Sequence, residues 1–227
     1  VFTSPTGLPK MADAVQYASM IREMQGYTGV DEANKKFTEE DIERYRSGAY
    51  PWTNPNTDWI AESFKKSSLS SNHNVSLTGG SKSLSYYVSF GSQRDEGIFK
   101  NSPTKFNRYN IKATFDARVN QYLTLGLDLN GIQEKRHYPS TNAGFNLDGA
   151  IKSLPTSPAY YPNGYHGPDI AYGQNPVVTV TDQTGFDDST NYRLNTIFSA
   201  NLKIPWMKGL SVASYYSFDA SLENRKL

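Results

Sequence analysis

Arg108-Tyr109-Asn110-Ile111-Lys112-Ala113-Thr114-Phe115-Asp116-Ala117-Arg118-Val119 is the stretch that decides the fold. Tyr109, Ile111, Ala113, Phe115, Ala117 and Val119 alternate with polar or charged residues at every other position. A period of two sends successive side chains to opposite faces, so the stretch is a β-strand with one apolar and one polar face. The same pattern recurs on both sides. Asn72–Gly79 sets Val75 and Leu77 against Asn74, Ser76 and Thr78. Leu84–Gln93 sets Leu84, Tyr86, Val88 and Phe90 against Ser85, Tyr87 and Ser89. Leu123–Asn130 sets four leucines against Thr124, Gly126, Asp128 and Asn130. Tyr192–Ile204 and Leu210–Ser221 repeat it with charges on the polar face only, and Ile197 is the one residue out of step.

The connections between these strands are ordered. Gly79–Ser83, Asn120-Gln121 and Pro205–Gly209 are short; Arg94–Phe106 and Glu134–Asn191 are long. In an antiparallel meander alternate connections lie at the same end. All short turns therefore fall at one rim and all long ones at the other, the asymmetry of outer-membrane barrels. The predicted fold class is mainly β: an antiparallel up-and-down meander, part of a transmembrane β-barrel, with a short helical N-terminal segment.

Composition fits a barrel wall. Among 227 residues, 37% are hydrophobic and the mean hydropathy is -0.62. No apolar run is long enough for a membrane-spanning helix and no signal-peptide pattern is present. Barrel strands need only about 9–11 residues with half of them polar, so a low hydropathy does not exclude them. A net charge of +1 argues against a nucleic-acid partner. The absence of cysteine removes disulfides and thiol chemistry.

Before the strands, Val1–Lys10 reads as irregular. Lys10–Gln25 reads as a helix with Ala14, Tyr17, Ala18 and Ile21 on one stripe and Gly26 placed to stop it. Thr38-Glu39-Glu40-Asp41 resembles a capping box opening a short helix to Gly48, and its acids read as cap and solvated face. Trp59–Phe64 reads as one more helical turn, and so does Asp148–Ser153. Within Glu134–Asn191, six prolines accompany Tyr160, Tyr161, Tyr165 and Tyr172, which are the candidate ligand- or partner-binding residues because flat aromatic surface in an ordered loop suits sugars or a docking protein. Histidines 73, 137 and 166 are scattered, so no metal site is expected from them. Asp182, Asp187 and Asp188 match no EF-hand spacing and read as a solvated loop. No nucleophile or phosphate-binding motif occurs, so no enzyme and no cofactor are expected.

A series of short motifs resembles the SusC/RagA family of TonB-dependent outer-membrane transporters. It runs Asn56-Thr57-Asp58-Trp59, His73-Asn74-Val75-Ser76-Leu77-Thr78-Gly79-Gly80, Tyr86-Tyr87-Val88-Ser89-Phe90-Gly91, Asp95 to Ser102, and Arg108-Tyr109-Asn110, with Asn175-Pro176 and Lys208-Gly209-Leu210 further on. The resemblance implies a barrel of about 22 strands around an internal plug, of which this chain would hold about six strands. On that pattern residues 1–71 are the end of the plug region with a helical linker, and residues 72–227 are the first barrel strands with long extracellular loops. It also implies a SusD-like surface lipoprotein and the TonB complex as partners, the latter through a segment outside this chain. Glycan, oligosaccharide or peptide cargo and contact with outer-membrane lipid follow as well. The alternatives to an energised importer are a soluble β-sandwich that binds carbohydrate and a passive porin.

Overall fold

The computed structural model describes residues 1–168 and 175–227. Among these residues seven antiparallel strands form one sheet in sequence order: β1 (Phe2–Thr3), β2 (Ser68–Gly80), β3 (Leu84–Glu96), β4 (Lys105–Arg118), β5 (Leu123–Pro139), β6 (Phe186–Lys203) and β7 (Ser211–Lys226). Around them, among the described residues, lie five α-helices: α1 (Ala14–Tyr27), α2 (Glu39–Ser47), α3 (Trp59–Ser63), α4 (Ala143–Lys152) and α5 (Pro176–Thr179). The mainly β, up-and-down meander expected from the alternation is the observed fold.

Strand pairing fixes the two faces, because directly opposed residues share one. Val75, Phe90, Ile111, Gly131, Leu194 and Ala220 form one row across the sheet. Gly79, Tyr86, Phe115, Leu127, Phe198 and Tyr216 form another on the same face. The opposite face carries Ser89, Lys112, Asn130, Asn195 and Asp219. Ile197 pairs with Asp128 on this polar face, as its offset in the sequence requires.

The sheet has almost no protein core of its own. Val75, Phe90, Phe198 and Phe218 are about half exposed or more on the apolar face. Buried clusters lie mainly among the helices and long connections instead. Ala14, Ala18, Phe37, Ile42 and Tyr45 close one of them. Ile60, Phe64, Phe99, Ala150 and Val180 close a second, and Trp59, Ala159 and Val177 a third.

Several expected boundaries move. The strands run on past the alternating region, to Glu96, Pro139 and Lys226 and back to Phe186. Backbone pairing needs no apolar side chain, so the ladder continues where the pattern has stopped. The long connections accordingly contract to residues 97–104 and 140–185. Gly26 does not stop α1, which continues to Tyr27. Asp13 caps its start with a full capping box, closed by Gln16. The capping box at Thr38 and Asp41 forms as expected. The turn expected at Asp148–Ser153 is the second half of a longer helix, α4, which begins after Asn142 caps the Phe145 amide.

The N-terminus is not irregular throughout. Phe2 and Thr3 pair with Leu69 and Ser68. Residues 4–67 therefore leave the sheet and return to it between two adjacent antiparallel strands. They do so at the same end as residues 97–104 and 140–185. β2 itself begins four residues before the boundary expected at residue 72.

Candidate functional site

Three surfaces are candidates for function: the outward face, the inward face and the cap built from long connections. The apolar rows of the outward face run from the Leu123–Leu202–Val212 row to the Tyr109–Gln133–Tyr192 row. Along β5, Leu123 to Gln133 spans about 33 Å, and a strand tilt of roughly 40° projects this to about 25 Å, the height of a barrel's lipid-facing band. Beyond Tyr109 and Tyr192 the character changes within one row. Arg94, Asn107, Lys135, Thr190 and Asn224 come next, followed by Glu96, Lys105, His137, Asp188 and Lys226. At the opposite rim, Trp206 and Met207 stand exposed in the β6–β7 turn. Aromatic residues at both edges of an apolar band are the interfacial girdles of a membrane barrel.

The inward face is polar and networked. Thr114 Oγ1 donates to Asp128 at 2.7 Å across the β4–β5 pair. Higher up, the Glu134 carboxylate is only 10% exposed and lies 3.8 Å from Arg108, 3.9 Å from Arg136 and 3.5 Å from Arg193. Glu134 Oε2 and Arg108 Nε find no hydrogen-bond partner among the described residues. This cluster is not legible from spacing, because it draws on three strands and depends on their register.

The cap joins residues 4–67 to residues 140–185. Thr57 N–H donates to the Pro155 carbonyl at 2.9 Å, and Thr57 Oγ1 to the Ser157 carbonyl at 2.6 Å. Buried Asn175 caps α5 through the Val177 amide, and its Nδ2 donates to the carbonyls of Ala159 and Gly167. A cleft of about 510 Å³ lies between the N-terminal segment and α4, lined by Lys10, Tyr17, Asp58, Trp59 and Lys152 among others.

Of the four candidate tyrosines, Tyr160 is packed beside the Trp59 cluster and accepts from Asn101 Nδ2 at 3.2 Å. Burial raises its hydroxyl pKa. Tyr161 and Tyr165 lie in one tight turn, closed by Tyr161 N–H donating to the Tyr165 carbonyl, and both are exposed. Tyr172 lies outside the described residues. His137 has carboxylate partners that its spacing from the other histidines does not reveal: Nδ1 contacts Asp188, and Nε2 lies 3.2 Å from Asp182. One expectation is corrected here. Asp182, Asp187 and Asp188 do not form a solvated loop. Asp187 and Asp188 begin β6, and Asp187 pairs with Arg225 at 2.7 Å while the other two bracket His137. The residues involved are tens of positions apart, so only the return of the long connection onto β6 brings them together.

A single antiparallel meander with an apolar band on one face, a polar opposite face and its long connections at one rim is the arrangement of part of a membrane β-barrel wall. No protein-family model matches the chain. It is 28% identical to the TonB-dependent receptor P26 of Formosa agariphila over 192 residues, 80% of this chain and 18% of that protein. It is 31% identical to the TonB-dependent receptor SusC of Bacteroides thetaiotaomicron over 137 residues, 59% of this chain and 12% of that protein. In three dimensions it matches a structure of the RagAB peptide transporter with a TM-score of 0.69 at 19% identity, over 99% of this chain and 27% of the matched one. The SusC/RagA resemblance thus holds in sequence and in fold: the chain is similar in sequence to TonB-dependent receptors that include SusC, and in fold to the RagAB peptide transporter. It spans less than a fifth of the length of these two curated relatives.

Proposed function

We propose that this chain forms part of the wall and outer cap of a TonB-dependent outer-membrane importer of glycans, oligosaccharides or peptides. The observation that carries this reading is the exposed apolar band, about 25 Å tall, on a meander whose other face is polar. A soluble β-sandwich would need a second sheet to cover that band, and all the described strands lie in one sheet. In this reading a SusD-like lipoprotein docks on the long-connection rim, and the TonB complex supplies work from the other side of the membrane. Tyr161 and Tyr165 offer exposed aromatic surface for cargo or for that partner.

On this proposal residues 4–67 are an outward connection rather than the end of a plug. They rise from β1, pack α3 against α4 and α5, and re-enter at β2, all at the long-connection rim. The rival reading in the same membrane is a passive porin. Transport energetics decide between the two. A plugged barrel needs work on its plug, so uptake of the cognate nutrient collapses when TonB is deleted or the proton gradient is dissipated. Uptake that persists without TonB identifies a passive porin, and a protein recovered in the soluble fraction rejects the wall altogether.

A further inference from the structure

The inward face carries an excess of positive charge at one place. Arg108 on β4, Arg136 on β5 and Arg193 on β6 surround the single carboxylate of Glu134. Every approach is 3.5 Å or longer, and no hydrogen bond links these guanidinium groups to Glu134. Glu134 is nearly buried, whereas the three arginine side chains are 41–60% exposed on the open side. Arg136 is steadied by stacking over the Phe106 ring, 5.8 Å from its centroid. Nearby, Arg225 is neutralised by Asp187. Glu223, the next inward acid on β7, forms no ion pair among the described residues.

We infer that Arg108, Arg136 and Arg193 are a docking point for one carboxylate or sulfate group of an acidic oligosaccharide passing along this face. The inference rests on the face being the lumen of an importer. Guanidinium forks present paired donors that match a planar or tetrahedral oxyanion, and Glu134 leaves most of those donors unused. One buried carboxylate among three arginines also keeps their mutual repulsion down while leaving a surplus of two charges for an incoming anion. The surroundings favour a sugar over a peptide. Asn110, Asn130, Asn191, Asn195, Ser189 and Ser221 share the face, so the anion site is set in amides and hydroxyls that pair with sugar hydroxyls. Among the described residues, Ile132 and the Phe106 ring under Arg136 are the large apolar side chains close by on that face.

The test uses the complete receptor carrying this chain, assembled in outer membrane and purified into nanodiscs, with tetragalacturonate, a sulfated galactan tetramer and neutral galactotetraose as probes. Binding of at least one charged probe should exceed that of the neutral one by roughly tenfold or more and should weaken with salt. Which charged probe binds distinguishes carboxylate from sulfate. Arg193→Gln should abolish the preference with the barrel still heat-modifiable. Glu134→Gln should strengthen binding of the charged probe, because it removes the competing carboxylate. Equal binding of charged and neutral probes overturns the proposal. So does a loss in Glu134→Gln that parallels Arg193→Gln, since that marks a purely structural network. An acidic tetrapeptide that outcompetes both charged sugars overturns the assignment to oligosaccharide. Recovery of the receptor outside the membrane rejects the importer reading itself, a result separable from a membrane-assembled receptor without charge preference.

Discussion

The indole Nε1–H of Trp59 donates to the Leu154 carbonyl at 2.8 Å, which ties the N-terminal connection to the long connection nearly a hundred residues later. Trp59 is almost fully buried against Ala159 and Val177. The cap is therefore one packed unit above the sheet rather than two independent loops. Trp59→Phe keeps most of the packing but leaves the carbonyl without its donor, at a cost of about 1–3 kcal/mol of local stability. Trp59→Ala also opens a cavity and should cost about 3–5 kcal/mol. Amide hydrogen exchange over residues 154–160 should rise in that order while the strands stay protected.

Phe115 and Thr114 are neighbours in β4 that face opposite ways. Phe115→Arg puts a charge in the apolar band, at a cost of roughly 2–4 kcal/mol near the bilayer midplane. Thr114→Arg loses one hydrogen bond to Asp128 but points into the polar face. Yields of heat-modifiable barrel in the complete receptor should be much lower for Phe115→Arg. Equal yields contradict the face assignment.

Rim polarity is open to cysteine labelling of intact cells with a membrane-impermeant reagent. Asn163→Cys and Asp31→Cys, on the two connections of the cap, should both react. Ser81→Cys, in the β2–β3 turn, should react only after the outer membrane is breached. Protection of Asp31→Cys with reaction at Asn163→Cys would return residues 4–67 to the plug.

The α2 cap makes part of the outer segment acid-sensitive. The Asp41 carboxylate accepts the Thr38 backbone N–H at 2.9 Å and the Thr38 hydroxyl at 2.8 Å, with Arg44 nearby. These bonds hold its pKa below the ordinary aspartate value. Because the folded pKa is depressed, the stabilisation is complete above the unfolded pKa and is lost as pH falls through the folded one. An NMR titration of the Asp41 carboxyl should show a midpoint below that of an unfolded peptide. Asp41→Ala should weaken α2 by about 1 kcal/mol at neutral pH and flatten the acid loss.

What the sequence determined by itself was the wall. Alternation in β2 to β7 assigned each of those strands and its two faces, down to the offset of Ile197, because a pleated strand converts sequence parity directly into side. Loop lengths then placed the rims. The Thr38–Asp41 box was legible for the same reason, since a helix cap is a local geometry closed within four residues. Tertiary structure alone decided the rest. The two-residue β1 shows no pattern of its own and exists only by pairing with Leu69 and Ser68. His137 meets Asp182 and Asp188, and Glu134 meets Arg108 and Arg193, through strand register. Register sums every turn and bulge between two strands, and no local periodicity records it. The cap packs Trp59 on Leu154 for a similar reason: its apolar residues find each other across long connections, where burial is a property of the assembled chain.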